Sequence, residues 1–207
     1  MDVDKVYLIF QDRFRPKRMR RIADAAHITK STTVLDVGGS QLNWDYLPAW
    51  PDVTLINIAS MPRDKPVREV IGDGCRLPFS DNSFELAFSN SVIEHVPDHE
   101  AFAREIVRVG RSYYVQTPNK WFPVEPHLMT PLIHFLPTSW RYKLVRRFSI
   151  WGLIAKPSDT ECDDFVSSTK LLSVRDMQRL FPGATLEREK FLGLTKSIIV
   201  FGGEMAA

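Results

Sequence analysis

The feature that most constrains the fold of this chain is a short apolar run that stops at two glycines. Residues 33–37 have the sequence Thr-Val-Leu-Asp-Val, and Gly38 and Gly39 follow directly. Such a run is typical of a buried parallel strand, because both of its faces are covered. Two glycines at its end let the backbone turn sharply and approach a ligand without a Cβ in the way. The pattern therefore predicts a ligand-binding edge at the carboxyl end of this strand.

Strand and helix signals then alternate along most of the chain. Further strands are predicted at 53–58, just before Gly72, at 85–89, 112–116, 185–191 and 197–201. Asp98 is a predicted helix cap and Gly110 a predicted stop, so a helix should connect the strands at 85–89 and 112–116. This alternation predicts an α/β fold with a doubly wound, mostly parallel seven-stranded sheet, helices on both faces and an antiparallel edge strand.

The stretch from 118 to 173 departs from this alternation. It is too long for a single crossover between strands. It carries many large aromatic side chains, namely Trp121, Phe122, Phe135, Trp140, Tyr142, Phe148 and Trp151. We predict that it forms a helical cap inserted above the carboxyl ends of the strands. The whole chain, 1–207, is predicted to be one domain.

Composition narrows the classes of partner. The 207 residues carry a formal net charge of +2, which gives no reason to expect nucleic acid or a membrane. With two cysteines, neither a disulfide framework nor a four-cysteine zinc site is expected, and a cytoplasmic location is predicted. Six basic residues lie between Arg13 and Arg21. We expect them to form a solvated helix face, and contact with a phosphate or an anionic substrate is the alternative.

Three blocks of sequence together point to a family. They are VLDVGGS (34–40), GDGCRLPFSDNSFELAFSNSVIEHVPD (72–98) and YYVQTPN (113–119). This series resembles the motifs of the class I S-adenosylmethionine-dependent methyltransferases, in particular the group called type 11, over roughly residues 30–120. The resemblance implies a Rossmann-like fold, S-adenosyl-L-methionine as the cofactor and S-adenosyl-L-homocysteine as the product.

The resemblance also implies which residues bind the cofactor. Asp36 and Gly38 would line its methionine end, Gly39 and Ser40 would complete the turn, Asn57 would face the ribose, Asp73 and Cys75 the adenine end, and Asn90 the floor near the sulfonium.

Two of these positions depart from the family pattern. Ser40 begins the stretch where a third glycine is usual, and Asn57 replaces the acid that normally binds the ribose hydroxyls. A catalytically silent, methyltransferase-like binding or regulatory protein is therefore the alternative. Two of the residues also have a structural alternative to cofactor binding. Asp36 could serve as a turn former at the end of its strand, and Asp73 could form an Asx-turn.

Two acid–histidine pairs are candidates for the acceptor side. Glu94 and His95 follow the strand at 85–89, and Glu125 and His127 begin the cap. Methyl transfer to a hydroxyl requires removal of its proton, and histidine has a suitable pKa. We predict His95 or His127 as the general base, oriented by Glu94 or Glu125. The alternatives are a helix-terminal role for Glu94 and a capping or packing role for His95. The same four side chains could also hold a divalent metal, although no metal is expected.

The predicted activity is methyl transfer to an oxygen or nitrogen atom of a small-molecule acceptor. A dinucleotide cofactor is disfavoured, because the first turn lacks the GxGxxG pattern. A nucleic-acid or protein methyltransferase is disfavoured because the basic run is short and the Asn-Pro-Pro-Tyr motif of amino-group DNA enzymes is absent.

Overall fold

The computed structural model describes the backbone of residues 3–62 and 64–204 and, within these ranges, the side chains from Phe14 onward. The helices are α1 (Val3–Ala25), α2 (His99–Val109), α3 (Thr138–Phe148), α4 (Ile150–Ala155), α5 (Asp159–Ser168) and α6 (Val174–Leu180). The strands are β1 (Thr33–Val37), β2 (Asp52–Asn57), β3 (Arg68–Ile71), β4 (Phe84–Asn90), β5 (Gly110–Pro118), β6 (Val124–Glu125), β7 (Thr130–Pro131), β8 (Thr185–Phe191) and β9 (Leu194–Gly203).

Seven of these strands form one sheet in the order β3-β2-β1-β4-β5-β9-β8. The first five strands of this order run parallel to one another. At the other edge, β9 runs antiparallel to both β5 and β8. The predicted doubly wound, mostly parallel seven-stranded sheet is therefore confirmed. The antiparallel pairing comes from the C-terminal hairpin that turns through Gly193.

Helices cover both faces of the sheet, because successive residues of each strand point to opposite sides. On one face, Met19 and Ile22 of α1 and the indole of Trp44 pack against β1, β2 and β4. On the other face, Phe102 and Ile106 of α2 pack with residues of α6. The helix α2 begins as predicted, since the side chain of Asp98 accepts hydrogen bonds from the backbone N–H groups of the first turn.

The segment after the glycine turn is shorter than a usual crossover helix. Residues Gln41–Tyr46 form a 3₁₀ helix, and the side chain of Ser40 makes no capping hydrogen bond to it. In the dinucleotide-binding version of this turn, a third glycine allows a following α-helix to pack closely on the strand. Its absence at positions 40–42 accords with the short 3₁₀ segment found here.

The chain between β5 and α6 forms a small layer of its own. It contains the β6–β7 pair, a 3₁₀ turn at Ile133–Phe135 and the helices α3, α4 and α5. Apolar side chains from these elements form a separate core, namely Leu128, Ile133, Val145, Cys162 and Val166. Of the helices in the described part of the chain, none has both the length and the apolar character needed to cross a bilayer.

Candidate functional site

The two glycines after β1 are required by close contacts. Gly38 has a φ of +74°, and a Cβ on it would lie 2.5 Å from Cγ1 of Val92. A Cβ on Gly39 would lie 1.9 Å from Oδ1 of Asp36. Either side chain would therefore displace a neighbour, and the turn can keep its path only with glycine at both positions.

Asp36 lies beneath this turn and is fully buried. Its Oδ2 accepts hydrogen bonds from Nε1 of Trp44 at 2.9 Å and from Nδ2 of Asn43 at 3.2 Å. Its Oδ1 has no hydrogen-bond partner among the described residues. Burial raises the pKa of Asp36 to about 7, although the two hydrogen bonds oppose this shift. One oxygen is thus held by the protein and the other lies against Gly39.

The predicted ribose and adenine positions lie on neighbouring loops. Nδ2 of Asn57 donates to the carbonyl oxygen of Gly39 at 3.1 Å and so ties the end of β2 to the glycine turn. The backbone N–H of Gly72 donates to the carbonyl of Asn57 at 2.9 Å. Oδ1 of Asp73 then accepts from the backbone N–H of Cys75 at 2.8 Å. This last bond is the Asx-turn named above as the alternative for Asp73.

Asn90 belongs to a buried polar group that the sequence did not predict. Arg18 of α1 donates through Nη1 to Oδ1 of Asn90 and, at 3.0 Å, to Oε1 of Gln116. Its Nη2 pairs with Oε2 of Glu189 on β8 at 2.7 Å. The expectation of a solvated basic face was therefore wrong for Arg18, which is 8% exposed. No sequence signal separates Arg18 from Arg21, which pairs with Glu187 at the surface.

The four predicted catalytic residues converge on one point at the carboxyl edge of the sheet. Nδ1 of His127 lies 2.7 Å from Oε1 of Glu125, and Nε2 of His127 lies 3.2 Å from Nε2 of His95. Oε1 of Glu94 is 3.8 Å from Nε2 of His127. Two further residues complete the group, since Thr117 donates to Oε2 of Glu94 and Thr169 contacts Nδ1 of His95.

Burial dominates the electrostatics of this group. It raises the pKa of Glu94, which is fully buried, to about 7, and it lowers the pKa of His95 to about 4. Burial also disfavours protonation of His127. Its hydrogen bond to Glu125 and the charges of Glu125 and Glu94 outweigh burial and raise the pKa of His127. His127 is therefore the more basic of the two imidazoles.

The same atoms have the spacing of a metal site. Ligand atoms of Glu94, His95 and His127 all lie within 4.8 Å of one another. Oε1 of Glu94 has no hydrogen-bond partner among the described residues. One carboxylate and two imidazoles are ligands that borderline divalent ions accept. The geometry thus suits either a shared proton or one divalent cation.

Comparison with known proteins supports the predicted family. Residues 35–112 match the family model described as a methyltransferase domain. An uncharacterised methyltransferase of Mycobacterium sp. (strain JLS) is 35% identical over 88 residues, which are 38% of this chain and 34% of that protein. Norajmaline N-methyltransferase of Rauvolfia serpentina is 46% identical over 40 residues, which are 19% of this chain and 14% of that protein.

The chain thus spans about a third of the first relative's length and less of the second's. Among solved structures, geranyl diphosphate C-methyltransferase from Streptomyces coelicolor A3(2) has a similar fold, with a TM-score of 0.56 and 11% identity over 95% of this chain and 83% of that one. The sequence match and the sheet order agree with each other. Residues 35–112 are therefore similar in sequence to a methyltransferase domain, and the seven-stranded sheet has the Rossmann-like fold of solved methyltransferases.

Proposed function

We propose that this chain transfers a methyl group from S-adenosylmethionine to an oxygen or nitrogen atom of a small-molecule acceptor. The observation that carries the proposal is the position of Glu94, His95, Glu125 and His127, here called the His127 group, next to the predicted cofactor floor at Asn90. Asn90 and Gln116 are register partners on β4 and β5. The residue after Gln116 is Thr117, which donates to Glu94. The candidate base group therefore begins one residue beyond the predicted cofactor floor.

The residues on the cofactor side fit S-adenosylmethionine in two respects. Gly39 lets the turn pass directly against the Asp36 carboxylate, because a Cβ there would collide with it, and this keeps Asp36 at the predicted methionine end of the cofactor. Oδ1 of Asp36 is a buried acceptor without a partner among the described residues, and a carboxylate of this kind suits an ammonium group. When bound, the cofactor supplies an electrophilic methyl carbon on a sulfonium. Gly38, Ser40, Asn57, Asp73, Cys75 and Asn90 complete the proposed cofactor set.

On the acceptor side we assign the general base to His127. Its Nδ1 donates to Glu125, which leaves Nε2 as the nitrogen that can accept a proton. During transfer to a hydroxyl acceptor, Nε2 of His127 would take up the hydroxyl proton. Glu125 is buried and also accepts from the backbone N–H of Leu128, so the imidazole is held in a fixed orientation. His95 and Glu94 lie beside Nε2 and position it.

The second candidate is a catalytically silent protein with this fold, and two observations favour it. A 3₁₀ turn follows Ser40, and the amide of Asn57 is already bonded to Gly39. The affinity for S-adenosylmethionine distinguishes the enzyme from the silent protein.

We infer a reducing location, the cytoplasm, from the two free cysteines, Cys75 and Cys162.

The test is calorimetric titration of S-adenosylmethionine and S-adenosylhomocysteine into the wild type, Asp36→Ala and the control Asp24→Ala. Asp24 is an exposed carboxylate on α1. We expect dissociation constants on the order of micromolar for the wild type and the control, and at least about tenfold weaker binding for Asp36→Ala. Absence of binding to the wild type at about 1 mM ligand would overturn the enzyme assignment and favour the silent protein.

A further inference from the structure

The cap contains a cavity of about 260 Å³. Apolar side chains of α3 and α5, including Val145 and Phe165, form part of its wall. Pockets for drug-sized ligands usually measure about 300–1,000 Å³, so this cavity suits a smaller molecule.

Three cationic side chains line the same cavity, namely Lys120, Arg141 and Lys170. Their backbones come from three separate segments that hydrogen bonds hold together. The backbone N–H of Lys120 donates to the carbonyl of Leu172 at 2.8 Å, and that of Lys170 donates to the carbonyl of Glu94 at 2.8 Å. Nε2 of His134 donates to the carbonyl of Lys120 at 3.1 Å. The fold of the cap thus fixes the backbones of Lys120 and Lys170, whose side chains are exposed, while Arg141 is half-buried.

None of these cations has a carboxylate in direct contact within the described part of the chain, although the charge of Lys120 helps to lower the pKa of Asp176. No carboxylate there forms an ion pair with Lys120, Arg141 or Lys170. Nε of Arg141 is buried and has no hydrogen-bond partner there. By contrast, Arg146 on the same helix pairs with Asp159 at 2.7 Å. A partly buried guanidinium without a partner is costly unless an anion neutralises it.

The acid that lines the cavity does not neutralise these cations. Both carboxylate oxygens of Glu125 are already engaged, one with Nδ1 of His127 and the other with the backbone N–H of Leu128. With three cations and one engaged carboxylate, the lining carries a surplus of positive charge. An anionic group is the ligand chemistry that such a lining favours.

The cavity shares a wall with the His127 group. Glu125 bonds to His127, Thr169 contacts His95, and the ring of Phe165 lies 5.9 Å from that of His127. All three of these residues also line the cavity. These three side chains therefore form a single layer between the cavity and the two imidazoles, neither of which lines the cavity itself.

We propose that this cavity binds the anionic group of the methyl acceptor, with Arg141 as the principal pairing residue. The proposal rests on the proposed methyltransferase function and adds a substrate class, a small molecule with an apolar body and a carboxylate or phosphate group. Arg141 presents a planar fork that matches both anions, and Lys120 and Lys170 add charge. Because His127 does not line the cavity, the nucleophile of such a molecule would extend past the shared wall toward His127.

The test is titration of benzoate and phenyl phosphate at constant ionic strength, without cofactor, into the wild type, Arg141→Met and the control Arg147→Met. Arg147 is an exposed residue of the same helix. We expect binding to the wild type to weaken at least about tenfold in Arg141→Met and to change less than about twofold in Arg147→Met. Comparison of the two probes distinguishes a carboxylate from a phosphate acceptor.

Lys170→Met provides a second variant if Arg141→Met fails to fold, and we expect it to weaken the same probes by about threefold to tenfold. Absence of binding to the wild type at about 20 mM of either probe, or equal weakening in Arg147→Met, would overturn the proposal. The result is separable from the cofactor test. Anion binding without cofactor affinity would contradict the methyltransferase function alone, and cofactor affinity without anion binding would contradict the subsite alone.

Discussion

Two polar groups lie side by side at the carboxyl edge of the sheet, and they differ in how completely they are satisfied. The Arg18 group consists of Arg18, Asn90, Gln116 and Glu189, and the His127 group of Glu94, His95, Glu125 and His127. In the Arg18 group the guanidinium meets a carboxylate and two amide oxygens. In the His127 group, Oε1 of Glu94 is buried without a hydrogen-bond partner among the described residues.

The difference indicates different roles. A buried charge that is paired and hydrogen-bonded holds elements together, here α1 against β4, β5 and β8. A buried carboxylate with a free oxygen beside two imidazoles costs stability and is typical of a site built for chemistry. We therefore expect changes in the Arg18 group to lower the free energy of unfolding, and changes in the His127 group to lower turnover.

The largest effect is expected from Arg18→Met. It would leave Glu189, 17% exposed, without its cation and the buried Oδ1 of Asn90 without a donor. Oε1 of Gln116 would keep only the hydroxyl of Ser91. We expect the free energy of unfolding to fall by about 3 kcal/mol, measured by urea denaturation. The matched control is Arg21→Met, one turn further along α1, whose partner Glu187 is also on β8. Its side chain is 67% exposed, so a loss of no more than about 0.5 kcal/mol is expected.

Equal losses in the two variants would contradict the structural role assigned to the Arg18 group. A loss of acceptor turnover in Arg18→Met at unchanged stability would contradict it as well, and would place Arg18 in the chemistry.

A somewhat smaller effect, about 100-fold in turnover, is expected from His127→Gln. The imidazole is replaced by an amide that cannot take up the acceptor's proton, while its neighbours are retained. Steady-state rates with an acceptor found by screening measure the loss, and cofactor affinity should change less than about threefold. His99→Gln is the control, because His99 lies at the start of α2 outside the His127 group.

Near-normal turnover in His127→Gln would remove the base assignment. The same assay after treatment with a chelator tests whether these residues bind a metal instead. We expect full activity after chelation. Loss of activity that returns when a divalent ion is added would assign Glu94, His95 and His127 to a metal.

The smallest effect concerns Asp36, the buried carboxyl on the cofactor side. Its pKa in the folded protein is about 7, against a usual value of 3.8, so the folded state keeps this proton to higher pH than the unfolded state. The stabilisation is complete below the unfolded pKa and is lost as pH rises through about 7. Asp36→Asn should reduce the fall in stability between about pH 5 and pH 7 by about 1–2 kcal/mol.

Denaturation at several pH values in cofactor-free protein measures this difference. Parallel pH profiles for the wild type and Asp36→Asn would show that Asp36 ionises in the folded protein as it does in the unfolded chain. Asp36 would then lack the raised pKa that burial gives to Glu94.

Elements whose signals lie within a few residues were predicted from the sequence. The run before Gly38 predicted β1 with its observed bounds. Ser173 and Asp176 form a capping box at the start of α6, and this is a local signal of the same kind, because the two residues are three positions apart. The 3₁₀ helix at Gln41–Tyr46 was not predicted, because nothing local in that stretch distinguishes it from the start of an α-helix. The role of each site residue stays a prediction until the experiments above are made.

The sequence by itself determined the order of strands and helices, the glycine turn and the candidate acids and histidines, because strand periodicity, caps and turn residues act over short distances. Only the tertiary structure decided which of them meet. Arg18 and Glu189 are 171 residues apart, and His95 and His127 belong to segments joined by α2 and β5. Burial of Arg18 and the charged cavity in the cap likewise depend on partners from distant segments. Since such contacts are selected by packing the whole chain, no local pattern of the sequence encodes them.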